Sequence, residues 1–118
     1  MAERKRALFR EALRRARPER VLEIGPGPGT NLAHLPEGVA YLALEPNPFC
    51  RPRLREEARK RGLALTRLPG RAEAIPLPGG SVDLVVATLV LCSVADPEKA
   101  IEEVHRVLRP GGAYLFLE

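Results

Sequence analysis

The sequence predicts an α/β fold, a mostly parallel sheet of about five strands with helices on both faces. Three observations predict it. Five short apolar runs recur along the chain, at 20–24 (RVLEI), 40–45 (AYLALE), 63–67 (LALTR), 82–88 (VDLVVAT) and 113–117 (AYLFL). Helical patterns lie between several of them, and the runs are apolar on both faces, as in strands covered by helices rather than by water. With 118 residues, 45% apolar and 29% charged, the chain is read as one domain, 1–118. A domain of this size buries roughly two-thirds of its unfolded surface, enough for one sheet and its helices.

The elements follow in order. Residues 2–16 place Ala7, Leu8, Ala12, Leu13 and Ala16 near one face, so they predict an N-terminal helix, 1–17, ahead of a core at 20–118. Run 20–24 is the first strand, and five residues with glycine at every second position follow it. Run 40–45 is the second strand. Pro48 and Gly62 mark the start and stop of a helix over 48–60, and 63–67 is the third strand. Segment 68–80 (LPGRAEAIPLPGG) reads as a loop, with three Pro and three Gly around apolar anchors Ile75 and Leu77. Loops of that length within a compact domain often carry function. Run 82–88 is the fourth strand. Asp96 can cap a helix over 97–108, with Pro97 in its first turn and Ala100, Ile101, Val104, Val107 and Leu108 as its apolar stripe. Arg109-Pro110-Gly111-Gly112 breaks that helix before the last strand, 113–117. No internal repeat, low-complexity tract or linker interrupts this order.

Charge is unevenly spread. The net charge is +4, yet residues 1–20 hold eight basic and three acidic residues, and 51–61 hold six and two. The remainder is therefore net −5. Such basic clusters suit nucleic acid or anionic lipid, or they are simply two solvated helix faces. Aromatics at 4% and no Trp argue against a stacking platform for single strands, so no nucleic-acid partner is expected. No run approaches eighteen apolar residues, which excludes an integral membrane helix. Residues 1–20 lack the apolar core of a secretory signal, and Cys50 and Cys92 form neither a disulfide framework nor a metal pattern. A cytoplasmic location without a metal is the expectation.

The chemistry concentrates at 21–30 (VLEIGPGPGT). Glycines just after a strand remove side chains where a ligand must touch backbone, and free N–H groups of a following helix add to the site. Many nucleotide folds use such a turn, and two acids sharpen the signal. Glu23 lies inside the first strand, where a carboxylate needs a strong reason to be buried. Glu45 ends the second strand, twenty residues after Gly25, where an acid can accept hydrogen bonds from ribose hydroxyls. Other candidates are weaker. Asp83 orders the start of the fourth strand, His34 is a solvated or capping residue on the helix after the glycines, and His105 beside Arg106 is surface. Cys50 and Cys92 read as free thiols.

These residues resemble the class I S-adenosylmethionine-dependent methyltransferases, type 11 group. VLEIGPGPG is similar to their first motif, LALEP to the second and RAEAIPL at 71–77 to the adenine-side loop. SVDLVVAT at 81–88 and EEVHRVLRPGGAYLFL at 102–117 resemble the later core motifs. TLVLCSV at 88–94 together with HRVLRPGG resembles small thiol methyltransferases, and ubiquinone and menaquinone C-methyltransferases are similar more distantly. The resemblance implies a Rossmann-like sheet of order 3-2-1-4-5 and S-adenosylmethionine as cofactor. It implies that Glu23, Gly25, Pro26, Gly27, Gly29 and Asn31 hold the methionine end, with Glu45 and Pro46 at the ribose. The Ala72 backbone and Glu73 would meet adenine, and Thr88 and Leu89 would lie near the methyl group. The family often has Asp where this chain has Arg71, and Arg has no acceptor for the adenine amino group. Either Glu73 substitutes for it, or backbone and apolar contacts hold the ring. No catalytic residue is named, because a good nucleophile needs alignment more than an acid or base. The implied acceptor is a small thiol, phenol or quinol. A cofactor-binding module without catalysis and a nicotinamide-dependent oxidoreductase are the competing readings.

The family's final antiparallel hairpin, strands 6 and 7, has no counterpart after 113–117 in this sequence. Tyr114, Leu115, Phe116 and Leu117 are consecutive apolar residues, unlike an open edge. A second copy is expected to cover them, as a homodimer pairing through or near 113–118. The alternative is that this is a shortened version of a longer methyltransferase, with cofactor binding kept and acceptor recognition impaired.

Overall fold

Alternating burial along five strands creates two apolar faces, and the helices divide between them. The computed structural model describes residues 2–88 and 94–117. In chain order these are α1 (Ala2–Ala16), β1 (Arg20–Ile24), β2 (Ala40–Leu44), α2 (Arg51–Lys60), β3 (Ala64–Arg67), β4 (Val82–Thr88), α3 (Pro97–Val107) and β5 (Leu108–Leu117). Single 3-10 turns cover Leu32–His34 and Pro48–Cys50. The strands are all parallel, in the order β3-β2-β1-β4-β5. That is the order the resemblance implies.

One face packs Val21, Tyr41, Ala43, Leu84 and Val86 against Phe9, Ala12 and Ala16 of α1 and Leu54 and Ala58 of α2. The other packs Leu22, Leu42, Leu44, Val85 and Ala87 against Ala100, Val104 and Val107 of α3. Each fully buried Leu or Val contributes roughly 1.5–3 kcal/mol, so the two layers supply most of the drive to fold. Among the described residues no helix is long and apolar enough to cross a membrane.

Several expectations need correction. The buried stripe of α1 is Phe9, Ala12 and Ala16, while Ala7 is exposed and Leu8 is 38% exposed. Phe9 is the largest apolar side chain of α1, and the helix is rotated to bury its ring. The glycine segment leads not into a full helix but into the single turn Leu32–His34. His34 is half-buried and not a cap: its ring stacks on Phe9 at 4.6 Å and 15°. Burial, with Lys5 and Arg6 nearby, lowers its pKa.

At the other end, α3 stops at Val107, and β5 already begins at Leu108. Ile101 of the expected stripe is 36% exposed, and Glu103 is buried in the core-facing row instead. Leu108 pairs with Val82 and Ala113 with Leu84, so the RPGG segment loops out of register opposite Asp83. Gly112 makes this possible: a Cβ there would lie 2.9 Å from the Asp83 carbonyl oxygen and 3.0 Å from that of Arg109. Asp83 orders the region, as its position suggested. Its Oδ2 accepts the N–H groups of Glu19 (2.8 Å) and Arg20 (2.9 Å), and its Oδ1 accepts Arg109 Nε at 2.5 Å. Arg109 Nη2 also donates to the Ala16 carbonyl at 2.9 Å, which ties the end of α1 to the same point.

Candidate cofactor site

The site begins where β1 ends. The Gly25 N–H donates to the Leu44 carbonyl at 2.9 Å, which stitches the ends of β1 and β2 together. Gly27 has φ +59°, in the left-handed region that disfavours side chains, and a Cβ there would meet nothing within 4 Å. Space therefore lies open above its backbone. The Gly27 N–H donates to Glu45 Oε1 at 2.7 Å, and the Asn47 N–H donates to Glu45 Oε2 at 2.9 Å. Glu45 is half-buried and links the glycine segment to the end of β2. This crevice lies at the carboxyl ends of the strands, where sheets of this order bind ligands. A carboxylate offers about four lone-pair positions, so with two N–H donors in place roughly two remain for ligand hydroxyls.

Glu23 sits inside β1 and is 1% exposed. Its Oε2 accepts Asn31 Nδ2 at 2.6 Å, and its Oε1 accepts the Tyr41 hydroxyl at 2.5 Å. Burial raises its pKa, partly offset by the bonds from Tyr41 and Asn31. Burial and the Glu23 carboxylate push the Tyr41 phenol well above its ordinary value. The carboxylate thus ties β1 to Tyr41 of β2 and to Asn31, just beyond the glycine segment, in a medium of low dielectric. Neither Tyr41 nor the Asn31 bond was foreseen. A Tyr on the neighbouring strand, at a position sharing the face of Glu23, was the available signal.

The remaining candidates are spread around this crevice. Pro26 is buried, Gly25 and Gly27 are half-buried, and Pro46 is exposed beside Glu45. Glu45 also borders a cavity of about 210 Å³ formed with Ala43, Arg51, Leu54, Arg67, Leu68 and Pro69. Thr88 ends β4, next to β1 in the sheet. Leu89 and Cys92 lie outside the described residues. Cys50 is a free thiol. Among the described residues no three His, Cys, Asp or Glu gather as metal ligands.

Segment 68–80 is built onto α3 by two side chains, Glu103 and Arg106, to which the sequence alone gave no role. Glu103, 8% exposed, accepts the Ile75 N–H at 2.8 Å. Arg106 donates to the carbonyls of Leu77 (2.8 Å) and Ile75 (2.9 Å) and to Glu103 (2.7 Å). The Arg106 fork holds the Glu103 carboxyl below its ordinary pKa, with help from the Ile75 N–H against burial. The signal was there: an acid in the apolar stripe of a helix, with an arginine three residues on. Ala72 is buried within the segment. Glu73 Oε2 accepts the N–H groups of Ala95 (3.0 Å) and Asp96 (3.3 Å), just before α3.

Comparison with known proteins bears on what this crevice holds. The methyltransferase-domain family matches residues 22–116. Human thiol S-methyltransferase TMT1A is 41% identical over 124 residues, covering 100% of this chain and 51% of that protein. Demethylmenaquinone methyltransferase of Thermus thermophilus is 36% identical, covering 86% of this chain and 47% of its own length. The YcgJ protein of Bacillus subtilis, a solved structure, superposes with a TM-score of 0.79 at 26% identity, over 97% of this chain and 50% of that one. The chain spans about half the length of the curated relatives it matches. Family, sheet order and glycine crevice agree: the chain belongs to the methyltransferase-domain family, in its S-adenosylmethionine-dependent class.

Proposed function

We propose that this domain binds S-adenosylmethionine in the crevice between 25–29 and Glu45 and transfers its methyl group to a small nucleophile, in first place a thiol. The observation that carries the reading is the Glu45 carboxylate, held by the Gly27 and Asn47 N–H groups with acceptor capacity left for two ribose hydroxyls. The residues fit the cofactor: open backbone at Gly27 for its chain, and two acids, Glu23 and Glu45, toward a cation. In this assignment Gly25, Pro26, Gly27, Gly29 and Asn31 form the methionine end, Pro46 stands beside Glu45 at the ribose, and the Ala72 backbone meets adenine. Glu73 belongs to the adenine-side loop, and the methyl end is assigned to the end of β4, at Thr88, and to Leu89, which lies outside the described residues.

When bound, the cofactor supplies a methyl carbon activated by its positive sulfur. The protein aligns it and excludes water. Gly27 and Glu45 would hold the cofactor, which would supply that methyl group to a thiolate acceptor and keep the electron pair of the broken bond on its own sulfur. No side chain has to move a proton in that step. Thiol preference is supported by the 41% identity to a thiol methyltransferase. A cytoplasmic setting accords with a thiol acceptor, which stays reduced there. A homodimer pairing through or near β5 completes the proposal.

Turnover of methyl-labelled cofactor with a panel of thiols, phenols and quinols tests it. Label is expected in a thiol product. Cofactor binding with no transfer to any of the three classes would leave a binding module and contradict the catalytic reading.

A further inference from the structure

We propose that Glu73 is a positioning residue: it fixes the adenine-side loop to the start of α3 and makes no contact with adenine itself. This rests on the cofactor reading above and asks what the loop does within it. Glu73 Oε2 accepts two backbone N–H groups, from Ala95 at 3.0 Å and Asp96 at 3.3 Å. Asp96 is the cap of α3, its Oδ1 accepting the Lys99 N–H at 3.1 Å. The Glu73 charge therefore lies at the positive end of that helix, where a carboxylate is favoured. Its own N–H and those of Asp96 and Ala95, with Arg71 nearby, outweigh burial and hold its carboxyl below the ordinary pKa.

The far side of the loop is fixed too. Ile75 and Leu77 are clamped by Glu103 and Arg106, two and four residues beyond Glu73. Between these anchors the loop has little slack. For Glu73 to turn toward an adenine amino group, two charge-assisted bonds at the helix start would have to break. Arg71, which offers no acceptor, is then no deficit, because the ring is met by the backbone around Ala72. The loop is prepared before the ligand arrives, which lowers the ordering cost of binding.

Two ligands separate positioning from contact: S-adenosylhomocysteine and S-inosylhomocysteine, which carries oxygen in place of the amino group. Calorimetry on wild type, Glu73→Ala and Glu73→Gln provides the comparison. Glu73→Ala should weaken both ligands by the same several-fold factor. Glu73→Gln should restore most of the loss, since its amide oxygen can accept the same two N–H groups. A loss confined to the adenine ligand, or no loss with either, overturns the proposal. If Glu73→Ala does not fold, amide exchange of ligand-free wild type and Glu73→Gln decides. Slow exchange at Ala95 and Asp96 in both supports the tie, and rapid exchange in wild type overturns it. Absence of binding to wild type by either ligand is a different result, which overturns the cofactor reading and this inference with it.

Discussion

Glu23 costs the fold stability, and Tyr41 and Asn31 offset part of that cost. Its pKa is raised in the folded state, so folding favours its protonated form. Its contribution is therefore best below the ordinary value of 4.5 and is lost as pH rises through the folded value. A neutral isostere escapes this. Glu23→Gln should be as stable as wild type, or up to about 1 kcal/mol more stable, near neutral pH. The advantage should grow as pH rises above the ordinary carboxyl value of 4.5, in urea unfolding curves. If the proposed cofactor assignment holds, the same variant should lose cofactor affinity by roughly 1–3 kcal/mol, because a buried carboxylate beside the proposed site is neutralised. A variant that binds normally would remove Glu23 from the site. At this scale the acids and glycines were legible, since their types and spacing report chemistry directly. Their partners were not: Tyr41 and Arg106 act through contacts across the fold, which spacing along the chain does not reveal.

At the scale of elements, Asp83 is the point where four of them meet. It holds the N–H groups that open β1, the start of β4 and the Arg109 side chain of β5, and Arg109 in turn caps the last carbonyl of α1. Burial alone would raise its pKa, but the Arg20 and Glu19 N–H groups and the Arg109 guanidinium outweigh it and lower the value. Its contribution is thus present above the ordinary value of 3.8 and is lost as pH falls through the folded value. Asp83→Asn should cost about 1–3 kcal/mol near neutral pH and flatten the acid limb of the stability profile. An unchanged acid limb would show that the ion pair is inert. The strands and helices themselves were legible from apolar period and punctuation. What failed was rotation and ending. The pattern on α1 could not show that Phe9 outweighs Leu8, and Pro110-Gly111-Gly112 looked like a break when the chain uses it as an irregularity within β5.

At the scale of the whole molecule, charge and edges matter most. α1 carries six basic and two acidic residues and α2 five and two, and both lie on one face of the sheet. α3, on the opposite face, carries two and three. This asymmetry was visible as two basic stretches, and only the fold shows that they share a face. β5 is an edge of the sheet, with Phe116 37% exposed on it. Light scattering at low micromolar concentration should report a dimer, and replacing Phe116 with Lys should shift it toward monomer. A soluble wild-type monomer would contradict the edge argument.

The central claim is that the glycine segment and Glu45 together hold S-adenosylmethionine or its demethylated product. Titration calorimetry of the chain with S-adenosylhomocysteine tests this most directly, with Glu45→Ala beside wild type. One site per chain is expected, and the variant should lose roughly 1–3 kcal/mol of binding, since bonds from two hydroxyls to a carboxylate disappear. No binding to folded wild type, or equal affinity in Glu45→Ala, would contradict the account.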